Sequence, residues 1–205
     1  MTENKYQDDL TAIRSMMERS SRFISLSGMS GIAAGVIALL GAVFTFYLFH
    51  QQGSDYLSAE RDVYSPEFLN QLIITAIVIL GISLGAGIYF TMRKSRRMGL
   101  KVWTNTTKYL LINLCVPLGA GGLFCLALIH HGLFALLAPA TLVFYGLALI
   151  NASKYTYTEI YYLGLIELLL GIIACFWLGY GLIFWTVGFG LLHIIYGFLM
   201  YRKYP

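Results

Sequence analysis

The sequence predicts an all-α polytopic membrane protein with six transmembrane helices, both termini in the cytoplasm and a core bundle formed by helices three to six. One reason is composition: 58% of the 205 residues are hydrophobic and 12% are charged, whereas a soluble domain carries about 25% charged residues. A second is the number of apolar stretches long enough to cross a bilayer core of about 30 Å. A third is that nearly all basic residues lie on one side of those stretches.

Six stretches reach the required length of about 20 apolar residues, at a rise of about 1.5 Å each. They are residues 23–49, 70–92, 109–130, 133–152, 160–178 and 180–201. Very short connectors join the last four, which predicts antiparallel neighbours and makes these helices the core. Helices one and two are separated from the core by a long basic segment, so we expect them to pack at the periphery or to mediate a dimer.

The chain thus divides into a transmembrane domain, residues 23–205, and a cytoplasmic N-terminal segment, residues 1–22. Within that segment Leu10, Ile13 and Met17 share one face at helical spacing. This pattern predicts a short amphipathic helix that lies on the inner membrane surface. A flexible tail is the alternative interpretation.

The distribution of basic residues predicts the orientation. Of the fourteen lysines and arginines, all except Arg61 lie in the N-terminal segment or on the same side as it. The positive-inside rule then places both termini in the cytoplasm. The densest cluster is Arg93, Lys94, Arg96, Arg97 and Lys101. We expect it to anchor the topology and to bind anionic lipid headgroups, and we expect no nucleic-acid partner because no recognition fold accompanies it.

Glu167 is a single carboxylate inside the apolar stretch LGLIELLLG, residues 163–171. Helical rise places it about 12 Å deeper than Glu159, within the hydrocarbon. A charged side chain there costs at least about 2.5–3.5 kcal/mol, so it should face the protein interior and have a partner. Gly164, Gly171 and Ala174 share its helical face, and small residues mark the face that packs against other helices.

Hairpin symmetry predicts the partner of Glu167. Helices five and six turn around Tyr180, and Glu167 and His193 lie equally far before and after that residue. In an antiparallel pair the two side chains are therefore at nearly the same depth. His193 also belongs to a stripe of small residues, which predicts that it faces the bundle.

Neighbouring helices are predicted to add to this polar layer. Asn113 and Tyr145 reach a similar depth by helical rise, and Tyr196 follows nearly one turn after His193. Pro117 frees a backbone carbonyl that lines a cavity or is satisfied by a neighbouring helix. The candidate ligand-binding residues are Glu167, His193, Tyr145, Asn113 and Tyr196.

The leading interpretation is a non-enzymatic membrane protein whose polar layer binds an ion, a proton or a small amphiphile, for transport or sensing. The alternative is a structural or regulatory subunit in which the layer only fixes helix packing. A lipid-active membrane enzyme ranks third, because the sequence contains no HExxH, GxSxG, Walker or Rossmann signature. Three scattered cysteines and the adjacent pair His130 and His131 do not form a metal-ligand pattern, so no metal and no cofactor are expected.

The C-terminal half contains FYGLALINASKYTYTEIYYLGLIELLLG and then FWTVGFGLLHIIYGFLMYRKYP. These stretches resemble an uncharacterised group of small multi-pass bacterial inner-membrane proteins. The resemblance covers helices four to six. It implies a bacterial cytoplasmic membrane, and it implies no activity, cofactor or residue role.

Overall fold

The computed structural model of the chain describes residue 23, residues 26–52 and residues 65–204. Within these residues all regular elements are helices, and six of the helices are long and apolar enough to cross a membrane. The all-α fold with six apolar helices is therefore as predicted. Two predicted features lie outside the described residues: the amphipathic N-terminal helix with Leu10, Ile13 and Met17, and the part of the outer loop that carries Arg61.

Five continuous helices and one composite helix make up the described fold. The continuous helices are α1 (Gly28–Gln51), α2 (Pro66–Arg97), α3 (Asn105–His130), α4 (Leu137–Ala152) and α5 (Thr158–Phe176). One-turn 3-10 helices flank α4 at Phe134–Leu136 and Ser153–Tyr155. The composite helix, α6 (Leu178–Lys203), consists of a 3-10 turn (Leu178–Tyr180), an α-helical turn (Gly181–Trp185), a π-helical segment (Thr186–Leu192) and an α-helix (His193–Lys203).

Capping residues set the ends of α2 and α3. Ser65 accepts a hydrogen bond from the backbone three residues on, at 3.2 Å, ahead of α2. Thr104 forms a capping box with Thr107 ahead of α3. Gly99 and Gly132 follow α2 and α3 with φ of +64° and +70°, in the left-handed region that other residues disfavour. These signals fix where α2 stops and where α3 starts and stops.

The packing of the helices corrects the predicted core. Helix α4 packs most extensively on α5 and next on α3, whereas α1 packs on α6 and on α2. The α-helical turn of α6, Gly181–Trp185, contacts α4 and α5 and so joins the two groups. Helix α1 is therefore a core helix, and α3 lies at an edge against α4. Helix α2 is peripheral, because no residue in its apolar central stretch is buried.

Glycines explain why α1 packs against α6. A Cβ at Gly31 would lie 3.1 Å from the Cα of Gly197, and one at Gly35 would lie 2.6 Å from the carbonyl oxygen of Gly190. These distances leave no room for side chains, so glycine lets the two backbones touch. The small-residue stripe on α1 is visible in the sequence, but a stripe does not reveal which helix it contacts.

One end of the bundle, termed here the basic end, gathers the starts of α1, α3 and α5 and the ends of α2, α4 and α6. Lys94 Nζ donates to the carbonyl oxygen of Tyr204 at 2.5 Å. Phe23 N donates to Tyr155 O at 2.6 Å, and the Tyr155 ring stacks on Tyr109. All lysines and arginines of the described residues lie at this end: Arg93, Lys94, Arg96, Arg97, Lys101, Lys108, Lys154, Arg202 and Lys203. The asymmetry that predicts the orientation is thus present in the fold, and the side of the membrane stays a prediction.

Candidate functional site

Glu167 lies near the middle of α5, and its side chain points into the bundle. None of its surface is exposed (0%). Gly164, Gly171 and Ala174 on the same face are buried as well. A Cβ at Gly164 would lie 2.8 Å from the carbonyl oxygen of Gly146 in α4. The inward direction predicted from the small-residue stripe is confirmed, because this stripe is the face that packs on α4.

His193 of α6 lies beside Glu167. Its Nδ1 atom is 3.4 Å from Oε1 of Glu167, and the residue is buried. It stands where the π-helical segment of α6 gives way to α-helix. The structure therefore brings together the two residues that hairpin symmetry places at one depth.

Tyr145 of α4 is the third member of the group. Its hydroxyl oxygen lies 2.7 Å from Nε2 of His193, and Nδ1 of His193 lies 3.0 Å from the carbonyl oxygen of Gly188. A carbonyl only accepts, so this contact assigns a proton to Nδ1. In the neutral imidazole Nε2 is then the acceptor, and the Tyr145 O–H donates to it. Both nitrogens of His193 are satisfied without Glu167.

Aromatic rings pack around the imidazole of His193. Phe189 stacks on it with ring centroids 5.9 Å apart, and the Tyr145 ring lies 5.4 Å away. Trp185 packs on Phe189 at 5.0 Å. Rings at these separations attract one another and resist rotation. The cluster therefore limits the imidazole to small rotations.

The carboxylate of Glu167 has no hydrogen-bond donor in the described part of the chain: neither Oε1 nor Oε2 has a partner. Its walls include apolar groups. A Cβ at Gly188 would lie 2.5 Å from Oε2 and 2.5 Å from Cδ2 of Leu142, and Leu142 is itself fully buried. A buried polar group without a partner costs about 1–3 kcal/mol, and an ionised one costs more.

The π-helical segment of α6 provides the space that Oε2 occupies. This segment, Thr186–Leu192, carries two buried glycines, Gly188 and Gly190. Gly188 faces Glu167, whereas a Cβ at Gly190 would lie 2.5 Å from Cδ2 of Leu39 in α1. π-helical turns are rare and occur often at functional sites. Helical periodicity does not reveal this segment; the two glycines that flank Phe189 are its only mark in the sequence.

Asn113 does not join the group, which corrects its prediction as a lining residue. Its Nδ2 donates to the carbonyl oxygen of Tyr109 at 2.8 Å, one turn back in α3, and α3 lies at the edge of the bundle. The carbonyl of Asn113 is the one that Pro117 deprives of an intrahelical donor. It accepts from Nδ2 of Asn151 in α4 at 3.2 Å. The predicted use of a freed carbonyl by a neighbouring helix is therefore confirmed.

Tyr196 also lies outside the hydrogen-bonded group. It is half-buried on α6, one turn nearer the basic end than His193. His193 forms its hydrogen bonds with Tyr145 and Gly188. The carboxylate of Glu167 forms no hydrogen bond within the described residues. The site that the structure assembles thus consists of Glu167, His193 and Tyr145, together with Gly188, which the sequence did not predict.

Metal-ligating residues do not gather elsewhere in the described residues, where no group of three or more His, Cys, Asp or Glu side chains is placed to hold an ion. His130 and His131 contact each other edge to face at the end of α3, with centroids 5.1 Å apart. Cys115, Cys125 and Cys175 are unpaired thiols.

The predicted headgroup-binding cluster lies at the basic end, where α2 stops and the connection to α3 begins. Lys94 is half-buried and turned onto α6. The other four members are exposed: Arg93, Arg96, Arg97 and Lys101. They form a positively charged surface at the end of an apolar helix, where lipid headgroups would lie.

Comparison with protein-family models, with curated proteins and with solved structures gave no match for this chain.

Proposed function

We propose that this chain is a non-enzymatic integral membrane protein whose buried site at Glu167 binds an ion, a proton or a small amphiphile, for transport or for sensing. We place it in a bacterial cytoplasmic membrane with both termini in the cytoplasm. All basic residues of the described part lie at one end of the bundle, which supports that orientation. The site would then lie in the inner half of the bilayer.

The unpartnered carboxylate of Glu167 carries this proposal. Both oxygens are buried without a donor in the described chain, while the neighbouring His193 and Tyr145 are hydrogen-bonded to each other. Burying a polar group without a partner is unfavourable. A leucine or methionine would fill a packing position at lower free energy. A ligand that supplies a hydrogen bond or a positive charge accounts for a carboxylate here.

A structural or regulatory subunit is the second candidate. The hydrogen bond from Tyr145 to His193 connects α4 with α6, and the bond from His193 to Gly188 lies within α6. Buried polar contacts of this kind can specify helix register without any ligand. This function explains Tyr145 and His193, but it gives no reason for the unpartnered oxygens of Glu167.

Anionic lipid headgroups are the partner that we propose for the basic end. The exposed side chains of Arg96 and Arg97 extend from the last turn of α2, and that of Arg93 extends from just before it. Basic residues next to an apolar helix attract anionic headgroups by about 1 kcal/mol each. This attraction is screened by salt, so binding to anionic vesicles should weaken as ionic strength rises.

Infrared difference spectroscopy of the protein in lipid vesicles tests the site. The carboxyl stretch of Glu167 is the band that Glu167→Gln removes and that Glu159→Gln retains. We expect acid, an alkali-metal salt or an added amphiphile to change this band reversibly in the wild type. A band that responds to none of the three would contradict ligand binding and favour the structural function.

A further inference from the structure

We propose that the species bound at Glu167 is a proton, and that His193 turns its Nδ1–H from Gly188 to Glu167 when that proton leaves. This inference rests on the proposed function and names the ligand of the same site. Three features of the structure lead to it: the ligands around the carboxylate, the space beside it, and the two acceptors that Nδ1–H can reach.

The surroundings of Glu167 offer a metal ion too few ligands. Hard cations such as Ca²⁺ and Mg²⁺ take about six to eight oxygen ligands. Nδ1 of His193 lies 3.4 Å from Oε1 of this carboxylate, and it already carries a proton that it donates to the carbonyl oxygen of Gly188. No group of three or more ligating side chains exists in the described chain. A proton needs one oxygen.

The space beside the carboxylate is too small for an amphiphile. A single Cβ at Gly188 would already lie 2.5 Å from Oε2 of Glu167 and from Leu142. Between α5 and α4, a Cβ at Gly171 would lie 2.8 Å from the backbone nitrogen of Val143. A molecule with several carbon atoms therefore enters only if α4, α5 and α6 separate. A proton binds without any change in packing.

Nδ1–H of His193 has two acceptors within reach. The carbonyl oxygen of Gly188 is 3.0 Å from Nδ1 and Oε1 of Glu167 is 3.4 Å from it. With Glu167 protonated, the carbonyl is the closer and better-placed acceptor. With Glu167 ionised, the carboxylate is the stronger acceptor because the hydrogen bond is charge-assisted, so Nδ1–H turns to Oε1. Tyr145 is a positioning residue in both states, because its O–H to Nε2 keeps the proton of His193 on Nδ1.

The groups that face Glu167 from the neighbouring helices are Tyr145 of α4 and His193 of α6. The described lysines and arginines all lie at the basic end, and Glu159 is paired there with Lys203. No other charged side chain of the described residues meets the site. The Nδ1–H bond is therefore the contact that responds when the charge of Glu167 changes.

NMR spectroscopy of the full chain in lipid vesicles, with ¹⁵N-labelled histidine, tests the inference beside the infrared band of Glu167. The His193 resonances are assigned by their absence from His193→Gln. We expect the Nδ1 resonance to shift as pH rises, over the same range in which the carboxyl band disappears, and we expect no such shift in Glu167→Gln. Tyr145→Phe should populate both tautomers of His193, since Nε2 loses its donor.

The possible results separate this inference from the proposed function. A carboxyl band that responds to NaCl or to an amphiphile at constant pH, and not to pH, overturns the proton and leaves ligand binding standing. An Nδ1 resonance that stays still while the band follows pH overturns the histidine movement. A band that responds to nothing overturns both proposals. The pH and ligand responses are measured on the wild type, and Glu167→Gln and His193→Gln serve to assign the carboxyl band and the histidine resonances. If His193→Gln does not fold, His193 is assigned by elimination, with substitutions of the other three histidines of the chain.

Discussion

Helix α5 carries two carboxylates about two turns apart, and they have opposite surroundings. Glu159 lies in the first turn at the basic end, with Oε1 2.5 Å from Lys203 Nζ and 3.2 Å from the Tyr204 hydroxyl. Its side chain is 22% exposed. Glu167 is 0% exposed and has no donor among the described residues. A glutamate thus forms an ordinary ion pair at position 159 and is buried without a hydrogen-bond donor at position 167.

This difference shows which of the two carboxylates is available for a function. Lys203 and Tyr204 already satisfy Glu159, and a partly exposed pair of this kind contributes little to stability. Glu167 has neither, so its free energy depends on what binds it or on its protonation. The predictions below test this contrast, from the largest expected effect to the smallest.

Glu167→Lys should have the largest effect. An ammonium would replace the carboxylate at a fully buried position with no anion beside it, at a cost of about 3–5 kcal/mol or more. We expect little monodisperse protein and a strongly lowered unfolding temperature in mild detergent. Glu159→Lys is the matched control, since its side chain reaches water, and it should fold. A Glu167→Lys protein as stable as the wild type would mean that water reaches the site.

Gly188→Ala should destabilise the protein by about 1–3 kcal/mol, the usual cost of overpacking. The new methyl group would lie 2.5 Å from Oε2 of Glu167. Gly85→Ala in α2 is the control, because a Cβ there meets nothing within 4 Å, and alanine by itself favours a helix. Denaturant unfolding in lipid-containing micelles compares the two. Equal effects would show that the π-helical segment moves to accept the methyl group.

Tyr145→Phe should cost about 0.5–1.5 kcal/mol, the net contribution of a typical hydrogen bond, because Nε2 of His193 loses its donor. Tyr89→Phe removes the same hydroxyl from an exposed ring on α2 and should leave the unfolding free energy unchanged. The same unfolding experiment measures both. If the two substitutions had the same effect, the contact from Tyr145 to His193 would contribute nothing to stability.

The ion pair at Glu159 should give the smallest effect. A double-mutant cycle with Glu159→Gln and Lys203→Gln measures the coupling between the two side chains, and 62% of the Lys203 side chain is exposed. Salt screens exposed charges, so the coupling should vanish at high ionic strength. A coupling that persists in high salt would mean that this pair is as sheltered as Glu167 and would remove the contrast between the two ends of α5.

The sequence predicts much of this site because depth and direction are properties of a single helix. Helical rise and the stripe around Glu167 place its side chain correctly, and symmetry about Tyr180 brings His193 to the same level. Pro117 identifies a free carbonyl from its chemistry alone. These inferences need at most the short connection between two consecutive helices, and not the other neighbours of each helix.

The remaining features depend on which helices meet, and for that reason the sequence does not predict them. Membrane helices associate through close packing of small residues rather than through a hydrophobic driving force, so the partner of each stripe depends on both helices. Gly31 of α1 therefore gives no sign that it meets Gly197 of α6. Asn113 has the predicted depth but sits on an edge helix. The π-helical segment around Gly188 packs against α1 and α5, and periodicity along α6 does not contain these contacts.

Proton uptake by the folded protein is the most direct measurement of the contrast between the two carboxylates. Potentiometric titration of the chain in lipid vesicles would compare the wild type, Glu167→Gln and Glu159→Gln at several salt concentrations. We predict that the wild type exchanges a single additional proton relative to Glu167→Gln, and that salt leaves this difference unchanged. Superimposable titration curves for the wild type and Glu167→Gln would contradict an exchangeable proton at Glu167.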